Sequence, residues 1–142
     1  MIRSQLPLLA VVAAIIFLAA TRSLLSTNPV VIVLQLAAVG MNIWSRRSFP
    51  PATFRVSAAP GGPTLIRRGP YRIIRHPMYA SALLFIWAAI LSHLSAVTVA
   101  VGVIVTSIAG ARVMAEERLL REQFPDYGQY ARTTKAIIPF VI

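Results

Sequence analysis

The chain has 142 residues, enough for one domain. Its composition is 57% hydrophobic and 13% charged, against about 25% charged in soluble domains, which makes it a membrane protein. There is no cysteine, so disulfides, thiolate metal sites and cysteine nucleophiles are excluded. The net charge of +10 does not point to nucleic acid, because apart from Arg3, Arg22 and His93 the charged residues lie in 46–76 and 112–135. Charge segregated in this way follows membrane topology, with basic segments kept in the cytoplasm. A nucleic-acid binder wants a basic face on a soluble fold.

Gln5 to Thr21 is an apolar run at the short end of what crosses a hydrocarbon core of about 30 Å. Arg3 ahead of it and Ala19-Ala20 near its end also resemble a signal peptide, but a second span follows almost at once, so the run reads as a retained span. Thr27-Asn28-Pro29 is turn chemistry. Pro29 to Trp44 is the second span, with Gln35, Val39 and Asn42 on one helical stripe. Polar side chains in lipid face the bundle interior, where they hydrogen-bond between helices. A sharper alternative puts Asn42, near the cytoplasmic end, on a ligand.

Ser45 to His76 is a polar connection with seven arginines and no acid, broken by Pro50-Pro51 and Pro60-Gly61-Gly62-Pro63. A connection this long is uncommon in a small domain unless it works. It reads as a loop held to anionic headgroups and, compatibly, as a wall over a cytosolic site. Pro77 opens the third helix, since the first helical position needs no backbone donor. Arg75 and His76 then stand at that helix's electropositive end, a place to receive an anion from water.

Met78 to Leu94 is the third span, and Ser92-His93-Leu94-Ser95 the tight turn after it, with His93 on the far side and without a role. Ser95 to Ala111 is the fourth; Thr98, Gly102, Thr106 and Gly110 recur every four residues, a stripe that lets a neighbouring helix come close. From Arg112 to Gln123 the helix continues out of the bilayer, with Arg112 and Glu116, Glu117 and Arg121, and Arg118 and Glu122 at helical spacing. Such pairs are worth about 0.2–0.5 kcal/mol each when exposed. Phe124-Pro125-Asp126 stops the helix; Tyr127, Tyr130, Lys135 and the apolar Ile137 to Ile142 follow. With 45–77 as a cytosolic loop and 112–142 as a cytosolic tail, four spans put both termini inside. The fold expected is one all-α integral membrane domain over 1–142, with spans at 5–21, 29–44, 78–94 and 95–111 and with loop and tail covering a site.

All four acids, Glu116, Glu117, Glu122 and Asp126, lie in the tail, and the richest basic segment is the other inner one. A small bundle must bring the tail near 69–79. That convergence offers an anion receiver (Arg75, His76 and a helix end), a cation receiver (Glu116, Glu117) and flat rings (Tyr71, Tyr79), which suits a zwitterionic, ring-bearing cofactor. Other chemistries lack their parts. There is no glycine-rich phosphate loop and no G-x-G-x-x-G turn. There is no H-E-x-x-H, and two isolated histidines make a poor metal site. No Ser-His-acid set is suggested.

Gly69-Pro70-Tyr71 followed by Arg75-His76-Pro77-Met78-Tyr79 resembles the G-x-Y-x-x-x-R-H-P-x-Y signature of the isoprenylcysteine carboxyl methyltransferase and phospholipid methyltransferase group of integral membrane enzymes. Arg112, Glu116-Glu117, Leu120 and Phe124, then Tyr127, Tyr130 and Ile138-Pro139-Phe140, resemble that group's C-terminal half. The resemblance covers about the last 80 residues. It implies S-adenosylmethionine bound from the cytosol, with Tyr71, Arg75, His76, Pro77, Met78, Tyr79, Glu116 and Glu117 at the cofactor, Pro63 to Ile66 adding backbone contacts, and Arg112 as the catalytic residue at the methyl acceptor. The acceptor implied is a lipophilic small molecule or lipid carrying a carboxylate, amine or thiol, and the expected location is a bacterial inner membrane.

Three departures stand out: Ser81 replaces a usual glycine, Ala136 replaces a frequent basic residue beside Lys135, and four spans leave little room for a prenyl tunnel, so prenylcysteine is not carried over. An NADPH-dependent sterol-type reductase shares an R-H-P-x-Y element, but Met78 and Ser81 speak against it. A non-enzymatic lipid-binding protein explains the charges, though not the joint recurrence of Tyr71, His76, Tyr79, Arg112 and Glu116. Taken singly, Arg75 also reads as a topology anchor, and Glu117 as a solvated partner of Arg121.

Overall fold

A computed structural model describes residues 2–49 and 65–137. Four long helices and one short one follow in order: α1 Ile2–Ala20, α2 Pro29–Arg47, α3 Pro77–Ser92, α4 Ala96–Gln123 and α5 Tyr127–Thr133, with one 3-10 turn at Gly69–Arg72 before α3. Among the described residues there is no strand, only an isolated parallel bridge between Ile74 and Lys135. Two helices, α2 and α4, are long and apolar enough to cross a bilayer; Gln5–Ala20 and α3 are apolar but shorter.

The helix starts follow local chemistry. Asn28 caps α2 by accepting from the Val30 amide at 2.9 Å, with Pro29 at the first position. Ser95 and Thr98 form a reciprocal capping box at α4: the Thr98 amide donates to Ser95 Oγ at 3.1 Å and the Ser95 amide to Thr98 Oγ1 at 3.0 Å. At 28 residues α4 runs for about 42 Å, longer than a hydrocarbon core of about 30 Å, and its charged residues are gathered in its last turns, from Arg112 on. It ends at Phe124, which takes extended geometry before Pro125.

α3 packs chiefly on α2, and α4 on α1 and α3. At one end of the bundle Ala14, Leu18, Ile86, Ala89, Ile90 and Val105 form the buried core. Large apolar side chains such as Leu9, Ile16, Val33, Leu36 and Ile104 face outward, as helices immersed in lipid require. Gly102 brings α4 onto α3: a Cβ there would lie 2.7 Å from Ile90 Cδ1 and 3.0 Å from Trp87 Cζ2. Trp87 Nε1 also donates to Thr106 Oγ1 at 3.0 Å, but Gly110 has nothing within 4 Å of such a Cβ, so the small-residue stripe does not admit a neighbour along its whole length.

Of the stripe on α2, Gln35 is buried and Asn42 half-buried, but Val39 is 45% exposed; at 100° per residue it flanks the line joining 35 and 42. Gln35 donates to the Leu24 carbonyl at 2.8 Å. Asn42 Nδ2 donates to Ser81 Oγ at 2.9 Å and its carbonyl accepts from Arg46 Nε at 2.9 Å. The inter-helix reading of Asn42 holds, and Ser81 in place of glycine is what ties α3 to α2.

The polar connection is more ordered at its ends than a loop over 45–77. α2 continues to Arg47, whose charge with that of Arg46 suits a helix C-terminus. Arg68 Nε donates to the Ser48 carbonyl at 2.8 Å, and Tyr71 meets the edge of Phe49 at 5.4 Å, so the chain returns to where it left. Gly69 has φ +60 and packs against Ser48 and Trp44, where a side chain would collide. Pro50 to Thr64, with Arg55, both proline clusters and two of the residues expected to add cofactor contacts, lies outside the described residues, as does Ile138-Pro139-Phe140.

Candidate functional site

Three chain segments meet at the polar rim where α3 begins and α4 leaves the apolar layer. Residues 73–76 lead from the 3-10 turn into α3, with Ile73 in the helical region and Ile74 in an isolated bridge. Residues 135–136 run beside them in parallel: Lys135 N–H donates to Ile73 O at 3.0 Å, Arg75 N–H to Lys135 O at 2.7 Å and His76 N–H to Ala136 O at 2.9 Å. The contact at Ala136 is through its backbone, so the departure there from the expected basic residue costs this pairing nothing. α5 is held by Tyr130, whose hydroxyl donates to the Tyr71 carbonyl at 2.6 Å.

Two carboxylates on successive residues of α4 organise the side chains. Glu117 Oε1 accepts from Arg75 Nε at 2.7 Å and from the Tyr127 hydroxyl at 2.8 Å, and lies 2.9 Å from His76 Nε2. Arg121 is only a distant partner, 3.6 Å from Oε2, so Glu117 is not the solvated half of an i, i+4 pair. Arg75 Nη1 donates to the carbonyls of Ala131, at 2.9 Å, and Thr134. Arg75 therefore clamps α5 to α4 rather than standing free at the helix mouth.

Glu116 takes the other side. Its Oε1 accepts from the Tyr79 hydroxyl at 2.9 Å and lies 3.1 Å from Arg112 Nε; its Oε2 is 3.5 Å from His76 Nδ1. The Arg112 contact is ionic only. Arg112 Nε is a buried donor whose contact with the Glu116 carboxylate is not a well-formed hydrogen bond. Arg112 is 9% exposed. An unmade bond of this kind costs about 1–3 kcal/mol, and in a native fold it calls for a reason.

The electrostatics separate the two carboxylates. Burial opposes ionisation of Glu117, but hydrogen bonds from His76, Arg75 and Tyr127 outweigh it and hold its carboxyl at about 2. Burial disfavours the imidazolium of His76, yet the bonds to Glu116 and Glu117 raise its pKa above the ordinary 6.5. Burial, the first cause in each case, raises the phenols of Tyr71, Tyr127 and Tyr130, the last to about 12. The cluster thus sets an imidazole whose charged form is favoured by its acidic neighbours, and two guanidiniums, against Glu116 and Glu117, beside buried phenols.

Of the residues singled out in the sequence, Arg75, His76, Tyr79, Arg112, Glu116 and Glu117 share one contact network. Pro77 is fully buried at the start of α3. Met78 contributes its carbonyl to Ser81 Oγ at 2.8 Å. Tyr71 is buried beside the network, in contact with it through Tyr130. Tyr127, fully buried and bonded to Glu117, was not singled out for the site; the signal for it is a pair of tyrosines three apart just after a proline stop, two phenols on one face of a short helix. No group of three or more potential metal ligands occurs among the described residues.

A family model described as phospholipid methyltransferase matches residues 29–127. The chain belongs to the phospholipid methyltransferase family. The match takes in α2, α3, α4 and every residue of the network, and leaves α1 outside. The family model's description names a methyltransferase. Over 77 residues the chain is 35% identical to the cobalt-zinc-cadmium resistance protein CzcN of Cupriavidus metallidurans, a stretch covering 54% of this chain and 36% of that protein. No solved structure matches the chain.

Proposed function

We propose that this family member takes its methyl group from S-adenosylmethionine at the cytosolic rim and passes it to a lipophilic acceptor that arrives through the bilayer. One observation carries the reading: Tyr79, His76 and Arg112 converge on the partly exposed Glu116 carboxylate, and the buried Arg112 Nε, ion-paired there at 3.1 Å, makes no well-formed hydrogen bond. The donor set fits the cofactor. Glu116 Oε2 has one long contact, at 3.5 Å, and keeps capacity for an ammonium or ribose hydroxyls. His76 and the first-turn amides of α3 offer positive charge to a carboxylate. Tyr71, Pro77, Met78 and Tyr79 supply apolar and aromatic walls, and a ring near a sulfonium adds about 0.5–2 kcal/mol of cation–π attraction.

Arg75 and Glu117 act behind this surface, fixing α5 as a cover. Arg112, ion-paired to Glu116, is the residue assigned to the methyl acceptor. When bound, the cofactor supplies an electrophilic methyl on sulfur; alignment is what the chain contributes, and positioned reactants gain several kcal/mol over free ones. The basic segments are assigned to the cytoplasm of a bacterial inner membrane, with four crossings and both termini inside.

The test uses the full chain purified in detergent. S-adenosylmethionine or its demethylated product should raise the unfolding temperature. Glu116→Ala should weaken that binding by roughly 30-fold, the loss of a charge-assisted bond of about 2 kcal/mol, with the helical circular dichroism unchanged. Arg112→Ala should keep cofactor affinity and lose label transfer from methyl-labelled cofactor into a membrane lipid extract. Stabilisation by NADPH in place of S-adenosylmethionine would overturn the proposal in favour of reductase chemistry.

A further inference from the structure

Outside the methyl-transfer network, α5 and the 3-10 turn enclose a hollow of about 300 Å³ lined by Arg67, Arg72, Gln129, Tyr130, Thr133 and Thr134. Two of the six are guanidiniums and none is an acid. Arg67 is held in place by its neighbours: its guanidinium lies 5.5 Å over the Tyr130 ring and donates to the Asp126 carbonyl at 3.5 Å. The Asp126 carboxylate is 3.9 Å away and 78% exposed, so it neutralises little of that charge. Arg72 is exposed and pairs with no acid among the described residues. The Thr133 and Thr134 hydroxyls donate to the Tyr130 carbonyl at 3.0 and 2.7 Å, which leaves the two guanidiniums and the Gln129 amide as the donors facing the space.

We infer that this hollow binds a phosphate-class oxyanion, carried either by a lipid headgroup or by a soluble phosphate. The chemistry is that of two planar forks converging on one concavity, the arrangement that suits bidentate contact with phosphate oxygens. The volume admits a phosphate with a short organic substituent. The site is distinct from the methyl acceptor's, because α5 stands between: Thr134 lines the hollow on one side and gives its carbonyl to Arg75 on the other. An oxyanion bridging Arg72 on the 3-10 turn and Gln129 on α5 fastens the cover to the loop, and so steadies the Tyr127 bond to Glu117. The inference does not rest on the identity of the methyl donor.

The test compares the full chain with Arg72→Gln and Gln129→Glu, both at exposed positions, and with Arg118→Gln as a basic control elsewhere. Inorganic phosphate is titrated in neutral detergent against chloride of equal ionic strength, reading the unfolding temperature. In parallel, hydrogen exchange of α5 is compared in nanodiscs with and without phosphatidylglycerol in a phosphatidylcholine background. The expected result is saturable stabilisation by phosphate, weakened about tenfold or more in Arg72→Gln and Gln129→Glu but not in Arg118→Gln, as for loss of one charge-assisted contact. Protection of α5 by phosphatidylglycerol alone, lost in the same two variants, supports the site and names the headgroup as the source. No saturable response to either probe, or equal responses in Arg72→Gln and Arg118→Gln, overturns the inference.

Discussion

Glu117→Gln isolates the charge that holds the tail. One oxygen of Glu117 receives Arg75 at 2.7 Å, Tyr127 at 2.8 Å and His76 at 2.9 Å. Glutamine keeps an acceptor oxygen of the same shape and removes the charge. Bonds to charged groups contribute about 1.5–3 kcal/mol and neutral ones about 0.5–1.5, so two cationic donors lose about 1 kcal/mol each. Arg75 retains the carbonyls of Ala131 and Thr134, which limits the loss to about 2 kcal/mol in all. The damage should be local, because the α1–α4 core does not touch Glu117. Hydrogen exchange resolved by mass spectrometry reads it: amides in 127–136 should exchange roughly 30-fold faster, the factor for 2 kcal/mol of easier local opening, while α1 and α2 are unchanged. A change below about threefold in 127–136, or a uniform change through every helix, would refute the idea that this carboxylate latches α5.

The same protection should depend on pH at both ends. Glu117 is depressed from 4.5 to about 2, so its contribution is complete above 4.5 and is lost as pH falls towards 2. His76 is raised above 6.5, so its contribution is complete below 6.5 and fades as pH climbs through the folded value. Protection factors in α5, taken relative to the intrinsic exchange rate at each pH, should therefore be highest between about 4.5 and 6.5; a monotonic protection profile would sink that assignment. Gly102→Ala drives a methyl into Ile90 and Trp87 and should lower stability by about 1–3 kcal/mol. Gly110→Ala meets nothing and should be neutral or gain up to about 1 kcal/mol of helix propensity. Unfolding temperatures in one detergent separate the two, and equal shifts would refute the close approach at 102.

The helices were legible because lipid imposes a plain rule: apolar runs long enough to cross must satisfy their own backbones, and Asn28-Pro29, Pro77, Ser95 and Phe124-Pro125 mark starts and a stop in local chemistry. The convergence of residues 69–79 with 112–117 was legible from topology, since both lie on one rim of a small bundle. Pairing within the rim was not. Helical spacing offers Glu117 to Arg121, but Arg75 and Tyr127 reach it from segments 42 and 10 residues away, and nothing local encodes that choice. Nor does periodicity distinguish Gly102 from Gly110; the placement of Trp87 and Ile90 on α3 decides which of them is covered. Asn42 and Ser81 find each other across 39 residues, a pairing that polarity alone left open to a ligand.

At 16 residues α3 measures about 24 Å, some 6 Å short of an average hydrocarbon slab. A bilayer meeting so short a column thins locally, or leaves the column's upper end sunken. On the proposed topology, the imidazole and phenol at the top of α3 then stand in a dimple near the first carbons of the surrounding acyl chains. On the proposed function, a greasy molecule offers its reactive end there without being pulled out of the leaflet, and the journey across the interface falls to the water-soluble partner.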